Sequence, residues 1–138
     1  MPITYSFDQK RSLVLTKVTG ELSIAITKDY FERLKQDKSC PENAIEIVDF
    51  SGVTDFVIHY GEMRAITETY QSTKSAKNIL ATVFNCTSNL SYGIARMLKT
   101  LHEIANSNHT VNVTRSKEEL DKCIEELRSD HTDADGSH

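Results

Sequence analysis

The stretch Ile45-Glu-Ile-Val-Asp-Phe-Ser-Gly-Val53 decides the fold. A short apolar run stops at an Asp and breaks into a Ser-Gly turn, the pattern of a buried parallel strand that delivers a loop at its carboxyl end. Open α/β sheets place their ligand sites at such ends. Ala44 to Phe50 therefore reads as a strand, Ser51-Gly52 as a turn, and Val53 to Ile58 as an apolar connector interrupted by Asp55.

Toward the N-terminus, Ile3, Tyr5 and Phe7 alternate with Thr4, Ser6 and Asp8, a half-buried strand. Leu13 to Thr19 is rich in β-branched residues, pairs antiparallel with that strand across a turn at 9–12, and ends at Gly20. Ser23 is placed to cap a helix in which Ile26, Tyr30, Phe31 and Leu34 recur at helical spacing.

Toward the C-terminus, a helix with a poorly defined face runs from about Tyr60 to Thr73, followed by a strand from Ile79 to Phe84. The clearest helix spans Asn89 to Ala105. Its expected stripe is Leu90, Ile94, Met97, Leu98, Leu101, Ile104 and Ala105, with Tyr92, Arg96, Lys99 and Glu103 facing away. Val111 and Val113 mark a fifth strand. Ser116 and Glu119 form a capping box for a last helix seamed by Leu120, Cys123, Ile124 and Leu127. The order β-β-α-β-α-β-α-β-α gives an α/β fold: a mostly parallel five-stranded sheet with an N-terminal hairpin and four helices. Residues 1–128 read as one domain, and 129–138, with no core-forming residue, as a disordered acidic tail.

The 138 residues carry a net charge of -4. Asp130, Asp133 and Asp135 lie in the tail, so the body is close to neutral and offers no electrostatic footprint for nucleic acid. The start has no basic region followed by an apolar one, and no run of ~18 apolar residues occurs, so neither a signal peptide nor a membrane span is expected. Cys40, Cys86 and Cys123 are odd in number and widely spaced, as free thiols in a cytoplasmic setting are.

Three stretches resemble the bacterial STAS-like proteins related to the anti-anti-sigma factor fold, and among them the small stand-alone members: Leu13-Val-Leu-Thr-Lys-Val-Thr-Gly-Glu21, Val48-Asp-Phe-Ser-Gly-Val-Thr54 and Tyr92-Gly-Ile-Ala-Arg-Met97. The resemblance spans roughly residues 3 to 127. It implies a SpoIIAA-like sheet backed by helices and a binding surface at the loop after the third strand and the helix that follows. In true anti-anti-sigma proteins a phosphorylated serine follows that strand. Here the corresponding stretch is Asp55-Phe-Val-Ile-His-Tyr-Gly61, with no serine or threonine between Thr54 and Thr67, so the resemblance does not extend to the phosphorylation switch. Ser51 matches the earlier turn serine.

The candidate binding surface comprises Asp49, Ser51, Asp55, Val57, His59, Tyr60, Arg64, Tyr92 and Arg96. His59 has two readings, a proton shuttle or anion contact at a helix start, or a half-packed boundary residue. Asp49 either fixes the turn by accepting loop amides or acts as a base. Arg96 either grips a carboxylate or phosphate or belongs to a solvated face. Cys86, before a helix entry, is either a reactive thiolate or an ordinary buried thiol. Gly93 inside a helix suggests close approach of another backbone, such as a second subunit's. Ile58, Met63, Ile66 and Tyr70 spread too widely for one stripe and are the expected homodimer contacts. No metal-ligand spacing, phosphate loop or catalytic pair is present, so no metal, cofactor or catalytic residue is assigned. The expected function is a non-enzymatic regulatory or protein-binding module. The alternative is a small-ligand sensor or enzyme with a pocket at the loop after the third strand.

Overall fold

The computed structural model describes residues 2–104 and 109–136. Five strands, β1 (Ile3–Asp8), β2 (Leu13–Leu22), β3 (Ile45–Phe56), β4 (Ala81–Asn85) and β5 (Thr110–Thr114), form one sheet in sequence order. β1 and β2 pair antiparallel, and every later pair is parallel. Helices α1 (Ile24–Gln36), α2 (Tyr60–Lys77), α3 (Asn89–Ile104) and α4 (Lys117–Gly136) fill the crossovers and the end. The α/β architecture follows the expected order of elements.

The period of two along each strand sorts side chains between two layers. Val14, Val18, Val48, Phe50 and Phe84 face a large core closed by α1, α2 and α3. Leu13, Ile45, Ile47, Ala81 and Val83 face the opposite way, onto Leu120, Cys123, Ile124 and Leu127 of α4. Local chemistry sets the helix ends. Ser23 Oγ accepts from Ile26 N at 3.3 Å, and Asn78 closes α2 in a left-handed conformation, φ 54°. Ser116 Oγ accepts from Glu119 N at 3.1 Å, while Glu119 Oε2 reaches back to Arg115 N at 2.7 Å. Arg128 donates to the carbonyls of Asn43, Arg11 and Ser12, pinning α4 to the hairpin turn. α4 continues as helix beyond this anchor to Gly136, past the expected boundary at 128.

The deciding stretch differs from its reading in one respect. Ser51-Gly52 is not a turn, and β3 runs on to Phe56. Likewise Gly20 does not end β2, which continues to Leu22. Two register shifts reconcile these lengths: Lys17 pairs with Asp49 but Thr19 with Gly52, and Gly20 with Val53 but Glu21 with Asp55. Each shift adds one residue to β3, which is a bulge. A Cβ on Gly52 would stand 2.9 Å from Thr19 Cγ2 and 3.1 Å from the Val18 carbonyl oxygen. Gly20 sits opposite the second bulge at φ +76°, where side chains are strained. Gly52→Ala is expected to cost about 1–3 kcal/mol in a urea unfolding curve, because it overpacks a backbone contact. An unchanged midpoint would show that β2 and β3 can separate there.

Two further expectations change. On α3 the buried residues are Ser91, Ile94, Ala95, Leu98 and His102. Small Ser91 and Ala95 let the helix lie close to the sheet, and this rotates Leu90, Met97 and Ile104 outward; Ala105 lies outside the described residues. Ile58, just before α2, and Met63, Ile66 and Tyr70 on it are all core residues, so they do not form the exposed homodimer patch expected of them. The stripe is complete once Thr67 and Thr73 are counted. Their hydroxyls donate to the Met63 and Thr69 carbonyls, which satisfies them without water.

Candidate functional site

The parity of β3 that turns Val48 and Phe50 into the large core also turns Glu46 into it. Glu46 is 1% exposed, and its register neighbour on β4 is Thr82, also buried. Around this carboxyl the helices deliver polar groups. Tyr30 of α1 donates to Glu46 Oε2 at 2.5 Å, and its hydroxyl also lies 2.7 Å from Thr16 Oγ1 of β2. Thr82 donates to Glu46 Oε1 at 2.8 Å. Tyr70 of α2 bonds Thr82 through its hydroxyl and lies 2.5 Å from His109 Nε2, which is itself 2.8 Å from Thr82 Oγ1. Thr82 has one proton and gives it to Glu46, so the proton shared with His109 comes from Nε2–H of a neutral imidazole.

Burial governs the protonation of this cluster. Desolvation raises the Glu46 carboxyl above its ordinary value, partly offset by hydrogen bonds from Tyr30 and Thr82. Tyr30 and Tyr70 are pushed well above 10 by burial and by the nearby Glu46 charge. Burial, Lys74 and His102 hold His109 down at about 3. His102 is lowered by burial and then by Lys74. Its ring stands edge-on to Tyr70 at 5.1 Å, and its Nδ1 is buried with no hydrogen-bond partner among the described residues.

A cavity of about 60 Å³ lies between the sheet and α1–α3. Its polar lining residues are Thr16, Thr27, Tyr30, Glu46, Tyr70, Thr82 and His102. Val48, Phe50, Ile58, Phe84 and Leu98 are among its apolar walls. Ile58 of the loop after the third strand and Ile66 and Tyr70 of α2 line the cavity, whereas Asp49, Asp55, His59 and Arg64 do not.

Those strand-end residues are instead engaged locally or face solvent. Asp49 Oδ1 accepts from Ser51 N at 2.9 Å, the turn-fixing reading, now at a bulge. Asp55 and His59 are exposed, and Val57 is 42% exposed. His59 precedes α2, its backbone N donating to Glu62 Oε1 at 2.9 Å. Arg64 pairs with Glu68 at 3.7 Å, fully in solvent contact and so of little consequence for stability. The Tyr60 side chain lies outside the described residues. Tyr92 is half-buried beneath two guanidinium groups, Arg115 at 4.4 Å and Arg96 at 5.7 Å from its ring centroid. Arg115 also donates to Asn89 at 3.0 Å. Cys86 is wholly buried and its thiol pushed up to about 11, the inert reading.

Sequence reasoning passed over Glu46, Tyr30, Thr82, His102 and His109. Two of them had a signal. Glu46 shares parity with Val48 and Phe50 in an apolar strand, and His102 lies four residues beyond Leu98 and eight beyond Ile94 on a buried helix face.

Comparison with solved structures places this arrangement. A protein of the DUF3478 family with a SpoIIAA-like fold, from Shewanella loihica PV-4, superposes with a TM-score of 0.51 at 13% identity, covering 86% of this chain and 91% of its own. The anti-sigma factor antagonist SpoIIAA in its unphosphorylated form gives 0.48 at 12% identity, over 91% and 97%. The first of these shows that the fold is the SpoIIAA-like α/β fold. No family model and no curated protein matches the sequence. No described helix is long and apolar enough to cross a membrane.

Proposed function

We propose that the protein is a non-enzymatic STAS-like regulatory or protein-binding module whose docking face is the outer side of α3, and that this face pairs with a second copy of the chain. One observation carries the reading. Leu90, Met97 and Ile104, spaced by seven residues on one helix line, are 46%, 38% and 75% exposed. Between them Gly93 is exposed, and apart from its chain neighbours and its own helix backbone nothing lies within 4 Å of where a Cβ would stand. In an antiparallel pair of α3 helices about a two-fold axis near Lys99, Met97 meets Leu101 of the partner subunit. Gly93 receives Ile104 of the partner subunit. The apolar line is thus self-complementary in shape, as an isologous contact requires. The homodimer of the sequence reading is retained, with its contacts moved from α2 to α3. The edge formed by Asp55, Val57 and His59 is the competing face, because Val57 is also exposed.

Analytical ultracentrifugation over a concentration series separates the two faces. The wild type is expected to dimerise, with Met97→Glu shifting the equilibrium to monomer by at least about tenfold, since the axis brings two such charges together in an apolar contact. Val57→Asp is expected to leave it unchanged. A monomer at all concentrations, or a dimer sensitive to Val57 and indifferent to Met97, overturns the assignment to α3.

A further inference from the structure

Tyr92, in the first turn of α3, carries an inference beyond α3 pairing, since Arg96 beside it lies about 100° round the helix from Met97. The guanidinium carbon of Arg115, between β5 and α4, stands 4.4 Å from the Tyr92 ring centroid, and that of Arg96 stands 5.7 Å from it. The geometry points to a binding site for a doubly charged phosphate group, free or as a monoester, held by these two guanidinium groups beside the Tyr92 ring.

The way the chain's arginines are paired selects this place. Of the six, Arg11, Arg33 and Arg64 pair with Asp8, Asp29 and Glu68, and Arg128 donates to three backbone carbonyls. Arg96 and Arg115 form no ion pair among the described residues, and they share one ring. The ring face attracts each cation but does not neutralise either, so two like charges stand together with no counter-charge. An anion that reaches both removes that repulsion. The place is also open to a ligand, for both arginines are exposed and Tyr92 is half-buried.

Hydrogen bonding shows which donors are available. Arg115 Nη2 donates to Asn89 Oδ1 at 3.0 Å, which holds this guanidinium over the ring. Its other N–H groups, all those of Arg96 and the Tyr92 hydroxyl have no hydrogen-bond partner among the described residues. Glu119 is the carboxylate at this junction, and it accepts from the Arg115 backbone N at 2.7 Å rather than from the side chain. Charge then sets the ligand class. A phosphate monoester carries about -1.5 to -2 at neutral pH and so matches two guanidinium groups. A carboxylate carries one charge, is satisfied by one arginine fork and leaves the second arginine uncompensated.

The test is an NMR titration of the full chain, at constant ionic strength, with inorganic phosphate, N-acetyl-phosphoserine amide and N-acetyl-glutamate amide. Saturable shifts are expected with both phosphates at the Arg96 and Arg115 side-chain N–H signals and at Tyr92. The glutamate probe should bind at least about fivefold more weakly. Arg96→Gln and Arg115→Gln are each expected to weaken phosphate by at least about fivefold, while Arg64→Gln, which removes the same charge from α2, leaves it unchanged. Whichever phosphate binds more tightly names the source, a phosphorylated chain or the free ion. Shifts that stay linear up to ~50 mM phosphate, or an equal loss in Arg64→Gln, would overturn the site. Glutamate binding as tightly as phosphate would overturn the ligand class.

Discussion

Replacing Glu46 with alanine is expected to destabilise the protein by about 3–5 kcal/mol, while replacing it with glutamine costs less than about 1.5 kcal/mol. Alanine removes both acceptors of the Tyr30 and Thr82 protons and enlarges a cavity already present at the site. The two hydroxyls are fully buried, so water cannot replace what they lose. Glutamine keeps the shape and one carbonyl oxygen. Its amide nitrogen must face the other hydroxyl, which can turn acceptor because a second partner takes its proton: Thr16 for Tyr30, or Tyr70 for Thr82. Glutamine also removes the desolvation that raises the carboxyl of Glu46. Urea midpoints of the three proteins measure the difference. An alanine variant within 1 kcal/mol of wild type would mean that the hydroxyls satisfy one another and the carboxyl is dispensable, with equal loss in both variants pointing to charge as the stabilising element.

The architecture was legible because it depends on patterns that one chain displays to itself. Ile45 to Val48 is apolar on both faces, as a strand covered on both sides must be, and the crossover helices follow from the spacing of Tyr30, Phe31 and Leu34 or Ile94 and Leu98. Strand ends were not legible. The bulges that carry β3 to Phe56 depend on its pairing with β2, and nothing local to Ser51-Gly52 distinguishes a bulge from a turn. The faces of α2 and α3 failed for a related reason. Scoring hydrophobicity favours Leu90 and Met97 over Ser91 and Ala95, yet proximity to the sheet selects the small residues, and Thr67 and Thr73 can be buried because their hydroxyls bond their own helix. The polar cluster was the least legible of all. It joins Thr16, Tyr30, Glu46, Tyr70, Thr82 and His109 from six separate segments, so its existence is a property of the packing and not of any stretch of sequence.

Lowering the pH from 7.5 to 5 is expected to weaken the fold, with His109 contributing about 2 kcal/mol of the loss. In the folded chain its imidazole stays neutral until about 3, while in the unfolded chain it takes up a proton near 6.5. Between those values the unfolded state binds more protons, so stability falls as the pH drops through 6.5. His102 is shifted the same way and adds to the loss. Glu46 acts with the opposite sign. Its raised value means the folded chain holds a proton that the unfolded chain has released, so its contribution is fully present in acid and fades as the pH rises through the folded value. The other charged group acting on the two histidines is Lys74, whose ammonium opposes their protonation. The slopes therefore separate by substitution. His109→Gln, whatever its own cost, is expected to flatten the acid loss measured by thermal midpoint, and Glu46→Gln to steepen it by removing the compensating gain. A wild-type midpoint that is level from pH 7.5 to 5, with an equally level Glu46→Gln variant, would show that His109 is protonated in the folded protein and that its bonds to Tyr70 and Thr82 are those of an imidazolium.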